Sequence, residues 1–170
     1  MKFYEINAGD ILIDGVSLKE FIREYIYSLF CMVLQDTWLF DGTIGENIKF
    51  NKENVSDRQI WEVCRTVGVD HFIKTLPGGL DAVVGDNETI SSGQKQLFTI
   101  ARGMLEDAPF LILDEATSNV DTRTEIQIQE AMRRLMAGKT CFIIAHRLST
   151  IRNADEIILI DHGRVVERGN

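Results

Sequence analysis

The most constraining stretch of this chain is Phe110-Leu111-Ile112-Leu113-Asp114-Glu115, in which four apolar residues run directly into two adjacent carboxylates. An uninterrupted apolar run of that length suits a strand buried on both faces, as in a parallel sheet. Open parallel sheets gather their ligands at the carboxyl ends of the strands, so Asp114 and Glu115 are expected at a site for chemistry. Taken alone the run is a weak signal, because many inert strands end in acids. Its setting strengthens it. Upstream, Ile90-Ser91-Ser92-Gly93-Gln94 opens a helical stretch that continues through Glu106, and downstream a short loop, Ser118-Asn119-Val120-Asp121, comes after the acids. A second apolar strand then ends at Ala145-His146. By itself Ser-Ser-Gly-Gln reads equally as a helix N-cap, since serine is favoured there.

A length of 170 residues is one domain's worth, able to bury roughly 70% of its unfolded surface in a single core. The 18 Lys and Arg against 26 Asp and Glu leave a formal charge of −8, which argues against nucleic acid as the main partner. Apolar runs such as residues 29–34 fall far short of the ~20 residues that span a bilayer, so no transmembrane segment is expected. Met1-Lys2-Phe3-Tyr4-Glu5 does not open a signal peptide, because polar residues interrupt any apolar core. Cys31, Cys64 and Cys141 lack metal-like spacing and lie in apolar segments, which reads as reduced core thiols of a cytosolic protein.

Along the chain, Asp10-Ile11-Leu12-Ile13-Asp14-Gly15 reads as a strand entering a tight turn. Residues 18–29 look helical and lead into an apolar strand over residues 30–34 that ends at Gln35. Thr43 with Glu46, and Ser56 with Gln59, have the spacing of capping boxes. The second opens a helix with Ile60, Val63, Cys64 and Val67 on one face and Gly68 as its stop. Residues 81–85 read as a short extended segment. Asp121 caps a long helix ended by Gly138, residues 140–145 form a buried strand, and residues 148–154 a short helix. Residues 156–160 and 164–167 make a closing hairpin around Asp161-His162-Gly163. Alternating strands and helices with such a hairpin imply an α/β sheet with an antiparallel flank.

With these motifs in order, the sequence resembles the nucleotide-binding domains of ABC transporters, nearest to the exporter type, over essentially its whole length. Ile90 to Gln94 resembles the signature motif, Leu113-Asp114-Glu115 the end of Walker B, residues 118–121 the D-loop, His146 the switch histidine and Gln35 the Q-loop glutamine. The resemblance implies a P-loop NTPase-like parallel sheet flanked by helices, with a helical signature subdomain. Residues 36–106 would hold the Q-loop, helical and signature region, and residues 107–170 the Walker B, D-loop and switch region. It implies ATP and Mg²⁺ as cofactors, with Asp114 and Gln35 toward the metal, Glu115 as the base for the attacking water and His146 on the γ-phosphate. Ser91, Ser92, Gly93, Gln94 and Asp121 would meet ATP held by an opposite domain, Gly93 because a side chain would block close backbone approach. The implied partners are a second nucleotide-binding domain and an exporter's transmembrane domain, at the cytoplasmic face of a membrane. Trp38, Leu39, Phe40 and Trp61 are candidates for that membrane contact, with core packing as the alternative for each.

One part of the family pattern is missing: no Gly-x-x-x-x-Gly-Lys-Ser/Thr occurs in the 170 residues. Residues 3–10 resemble the family's segment just beyond the Walker A helix, so the expectation is a truncated domain that lacks its N-terminal P-loop strand. A parallel sheet without a central strand leaves unpaired neighbours and an exposed apolar slot, hence a marginally stable or aggregating chain. Smaller departures are Ile90 and Ser92 in the signature, and Gly103 inside its helix, where glycine costs roughly 1 kcal/mol relative to alanine. Two further classes compete with an exporter ATPase. One is a non-catalytic partner, or decayed fragment, that offers only the signature face. The other comprises DNA-repair and chromosome-organising ATPases, against which stand the acidic charge and the short interval from Gln35 to Ile90.

Overall fold

The computed structural model describes residues 1–84, 90–114, 120–145 and 154–170. The chain opens with a hairpin of β1 (Leu12–Ile13) and β2 (Val16–Ser17), turned by Asp14 and Gly15 at φ of 50° and 82°. Two consecutive positive φ values are what a two-residue hairpin turn requires, and Asp-Gly supplies them at low cost. Residues 18–29, expected as one helix, are broken into a 3-10 turn over Leu18–Glu20 and α1 (Arg23–Ser28). Phe21 and Ile22 are extended between the two, and the Lys2 ammonium donates to the Phe21 carbonyl at 2.7 Å. That bond uses an acceptor which a continuous helix would have satisfied internally.

From α1 the chain enters β3 (Phe30–Val33), then β4 (Gly42–Thr43), α2 (Ile44–Lys49), α3 (Asp57–Val67) and α4 (Asp70–Thr75). A 3-10 turn over Gly79–Asp81 takes the start of the expected extended segment, leaving β5 (Val83–Val84) to pair antiparallel with β4. Then come α5 (Ser92–Glu106), β6 (Phe110–Asp114), α6 (Thr122–Met136), β7 (Thr140–Ile144), β8 (Ile157–Asp161) and β9 (Arg164–Gly169). Both expected capping boxes form: Thr43 and Glu46 satisfy each other's amides at α2, and Ser56 and Gln59 do so at α3. Gly68 closes α3 in the left-handed conformation, φ 82°. Of the short helix expected over residues 148–154, all but Ala154 lies outside the described residues.

The main sheet is parallel, in the order β3-β6-β7. Its core is assembled around α5, whose Leu97, Phe98, Ile100 and Ala101 are buried against Ile44 and Ile48 of α2, Ile60 and Cys64 of α3 and Ile128 and Leu135 of α6. Apolar residues around most of its circumference mark α5 as an interior helix. Gly103 has a purpose there. A Cβ on it would lie 3.2 Å from Cys31 Sγ and 3.4 Å from Leu135 Cδ2, so the glycine lets α5 approach β3 and α6 closely.

Strand β7 departs from expectation. Its composition predicts burial, yet Phe142 is 53% and Ile144 51% exposed. Among the described residues only β6 pairs with it, and the β8-β9 hairpin pairs only with itself. Ile158, Leu159, Ile160, Val165 and Val166 of the hairpin are likewise exposed. Among the described residues, apolar side chains are thus left exposed along β7 and the hairpin.

Candidate functional site

Three parallel strands finish at one edge of the sheet. The register pairs Val33 with Leu113 and Asp114 with Ile144, so Asp114 closes β6 directly beside the end of β7, while Gln35 lies two residues beyond Val33. Neighbouring strands lie ~4.8 Å apart, which carries Gln35, Asp114 and Ala145 to a common rim. Asp114 is half-buried and Gln35 exposed, and both present side-chain oxygen. Glu115 is bonded to Asp114 and His146 to Ala145, but both lie outside the described residues, as do Ser118 and Asn119. Among the described residues no group of three or more His, Cys, Asp or Glu converges. Magnesium needs none, since it keeps several waters and takes one or two protein oxygens together with phosphate, which the pair Asp114 and Gln35 fits.

The start of α5 is a third capping box. The Gln94 amide donates to Ser91 Oγ at 3.2 Å, and the Ser91 amide donates to Gln94 Oε1 at 2.9 Å. Both readings of Ser-Ser-Gly-Gln therefore survive, because the cap uses the Ser91 hydroxyl as an acceptor and leaves its proton for an anion. Ser91 and Ser92 are exposed. A helix start of this kind offers a positive dipole end and amides that point outward.

Gly93 is buried, and a Cβ on it would fall 2.3 Å from Thr124 Cγ2 and 2.7 Å from Val120 Cγ1. A packing reason thus accompanies the expected one: the first turn of α5 sits against the first turn of α6. Asp121 caps that same turn, its Oδ1 accepting from the Arg123 and Thr124 amides, each at 3.1 Å. Hydrogen bonds from Thr124, through its side chain and its amide, hold the Asp121 carboxyl below its usual range. Residues 120–121 and the start of α5 are therefore one packed unit.

The aromatic candidates divide. Trp38 is 62% exposed, whereas Leu39, Phe40 and Trp61 are half-buried. The Trp38 and Phe40 rings lie 5.9 Å apart and the Phe40 and Phe50 rings 6.3 Å apart, forming one apolar surface. Two residues behind it, Asn47 and Arg102, are not singled out by the sequence motifs. Asn47 is a polar side chain on the apolar face of α2 between Ile44 and Ile48, and Arg102 is a charge inside the apolar run of α5; those anomalies were the available signal.

A family profile described as ABC transporter matches residues 1–118. A fatty acid ABC transporter ATP-binding/permease protein of Mycobacterium bovis is 55% identical over 171 residues, covering 100% of this chain and 27% of that protein. An ATP-dependent lipid A-core flippase of Syntrophus aciditrophicus is 44% identical, covering 99% of this chain and 28% of that protein. Among solved structures, a bacterial Atm1-family ABC exporter with ATP bound superposes with a TM-score of 0.87 at 38% identity, over 99% of this chain and 30% of the other. The chain thus spans little more than a quarter of the length of these curated relatives, 27% and 28%.

Proposed function

The chain belongs to the ABC transporter family, and from that premise we propose that it is part of the ATP-binding and ATP-hydrolysing unit of an exporter, coupling ATP turnover at a domain dimer to transport across a membrane. The observation that carries this reading is the parallel register that brings the ends of β3, β6 and β7, and with them Gln35 and Asp114, to one rim. When bound, Mg²⁺ and ATP supply the transferable phosphoryl group and offset its charge. Asp114 and the Gln35 amide oxygen hold the metal side of the site. Glu115, one residue beyond, orients the attacking water and accepts its proton, and His146 donates a hydrogen bond to the γ-phosphate. The start of α5, with the Ser91 hydroxyl, Ser92, Gly93 and Gln94, faces the ATP of an opposite domain, and Asp121 sets the loop between the two sites. The Trp38 and Phe40 surface meets the transmembrane partner, which places the chain at the cytoplasmic face of the membrane.

A second reading is a non-catalytic partner offering only its signature face, where Ser91 and Ser92 stand exposed at the start of α5. Colorimetric phosphate release distinguishes the two. The chain is assayed alone, then fused behind the P-loop segment of the 55%-identical mycobacterial relative. The proposal expects turnover from the fusion and a drop of roughly 10²–10⁴-fold on Glu115→Gln, the usual worth of a general base. A fusion that binds ATP but never hydrolyses it, while stimulating a complete subunit, establishes the accessory role instead.

A further inference from the structure

Phe50 carries an unusual backbone. It ends α2 at φ 54°, ψ −120°, a region in which a bulky L-residue is strained. Such outliers persist where their surroundings over-determine them. Here the Arg102 guanidinium lies over the Phe50 ring, 4.7 Å from its centroid, within the range of a cation–π contact. The same side chain donates from Nε to the Asn47 carbonyl at 2.9 Å.

Asn47, fully buried, holds both polar groups of the Phe40 backbone. Its Oδ1 accepts from the Phe40 amide at 3.0 Å, and its Nδ2 donates to the carbonyls of Phe40 at 2.9 Å and Thr43 at 3.1 Å. Farther along, the Lys52 ammonium donates to the carbonyls of Leu105 and Glu106 at 2.7 and 3.0 Å. Residues 40–52 are therefore tied to α5 by two cationic side chains, and Arg102 is the one that reaches both the ring and the backbone.

We propose that Arg102 is a positioning residue: through the Asn47 carbonyl and the Phe50 ring it locks the exposed Trp38–Phe40–Phe50 surface to α5, so that this surface and the start of α5 move as one body. The inference rests on the proposed function only for the meaning of that motion, a push on the aromatic surface delivered to the signature segment. Arg102 stands eleven residues from Ser91, about 16 Å along the axis of the same helix.

The test is hydrogen–deuterium exchange on the nucleotide-free chain, so its failure says nothing about hydrolysis, and a failed hydrolysis assay says nothing about it. Arg102→Met keeps an apolar stem but loses the guanidinium. It is compared with Arg102→Lys and with Ile60→Val, a mild core change in α3. Arg102→Met should speed exchange of the Phe40 and α2 amides by about tenfold, the order expected when a hydrogen bond from a charged donor is lost. Arg102→Lys should recover part of that protection, and Ile60→Val should leave those amides unchanged. Unchanged exchange in Arg102→Met, or an equal change in Ile60→Val, overturns the proposal. Should Arg102→Met not fold, Phe50→Leu in a Trp61→Phe background replaces it. The fluorescence anisotropy of Trp38, then the sole tryptophan, must fall, and an unaltered anisotropy overturns the proposal equally.

Discussion

At the scale of single residues, Gly93 separates two demands that coincide in sequence. The place of its absent methyl group is already filled by Thr124 and Val120. Gly93→Ala should therefore cost about 1–3 kcal/mol through overpacking, with no nucleotide present, as measured by urea unfolding. Unchanged stability would mean that only a ligand constrains the position. Titratable groups set the pH range. Burial pushes the Cys31 thiol up to about 11 and the Cys64 thiol up to about 12 from 9.0. Unfolded chains ionise these thiols first, so the stability they lend is complete below pH 9 and drains away as pH rises toward 11 and 12. Carboxylates act at the other end: hydrogen bonds from Lys74 and Lys139 hold Asp70 and Asp107 below 3.8. Their contribution is present above that value and is lost as pH falls through their lowered values. The urea midpoint should thus be level from about pH 5 to 8 and fall on both sides, starting near roughly pH 4 and pH 9. A midpoint that stays level beyond pH 9 would contradict the role given to the buried thiols.

Elements differ in how far sequence alone could define them. Helix starts with Ser or Thr and, three residues later, Glu or Gln were readable at α2 and α3, because a capping box is made within four consecutive residues. The buried course of β6 was readable from its unbroken apolar run. Interactions between distant segments were not. Lys2 donates to the Phe21 carbonyl where the expected helix is interrupted, Cys31 and Leu135 account for Gly103, and Arg102 reaches Asn47 across 55 positions. The site divides in the same way: that Gln35 and Asp114 belong together was implied by the family resemblance, while the strand order β3-β6-β7 and the packing of Gly93 on α6 were not. Strand β7 is the clearest divergence. Thr140-Cys141-Phe142-Ile143-Ile144 has the composition of an interior strand, but interior position depends on what lies beyond its free edge. An apolar edge of that kind templates association. Ile144→Lys, at a site already 51% exposed, should reduce light scattering of the concentrated chain and shift stability by no more than about 0.5 kcal/mol. Scattering that persists in the variant would place the sticky surface elsewhere, with the β8-β9 hairpin next in line.

For the molecule as a whole, stability is concentrated around α5 and thins toward the carboxyl-terminal third. Among the described residues, a β7 edge without a partner strand and a hairpin with exposed apolar side chains leave apolar area in water that a closed sheet would bury. The isolated chain should therefore melt below ~60 °C, within or under the ordinary mesophilic range, and a cooperative calorimetric transition above that temperature would refute the view. The parallel register also has a consequence in time. Phe30 pairs with Phe110, a separation of 110 − 30 = 80 residues. At ribosomal rates of about 5–20 residues per second, β3 waits roughly 4–16 s for its neighbour to be synthesised. During that interval α2, α3, α4 and finally α5 are synthesised, so the helices precede the completed sheet and have the first opportunity to organise. A chain released just before residue 110 would then hold the helices of the core and an apolar β3 without its partner, the stage at which a holdase chaperone would find the most to bind.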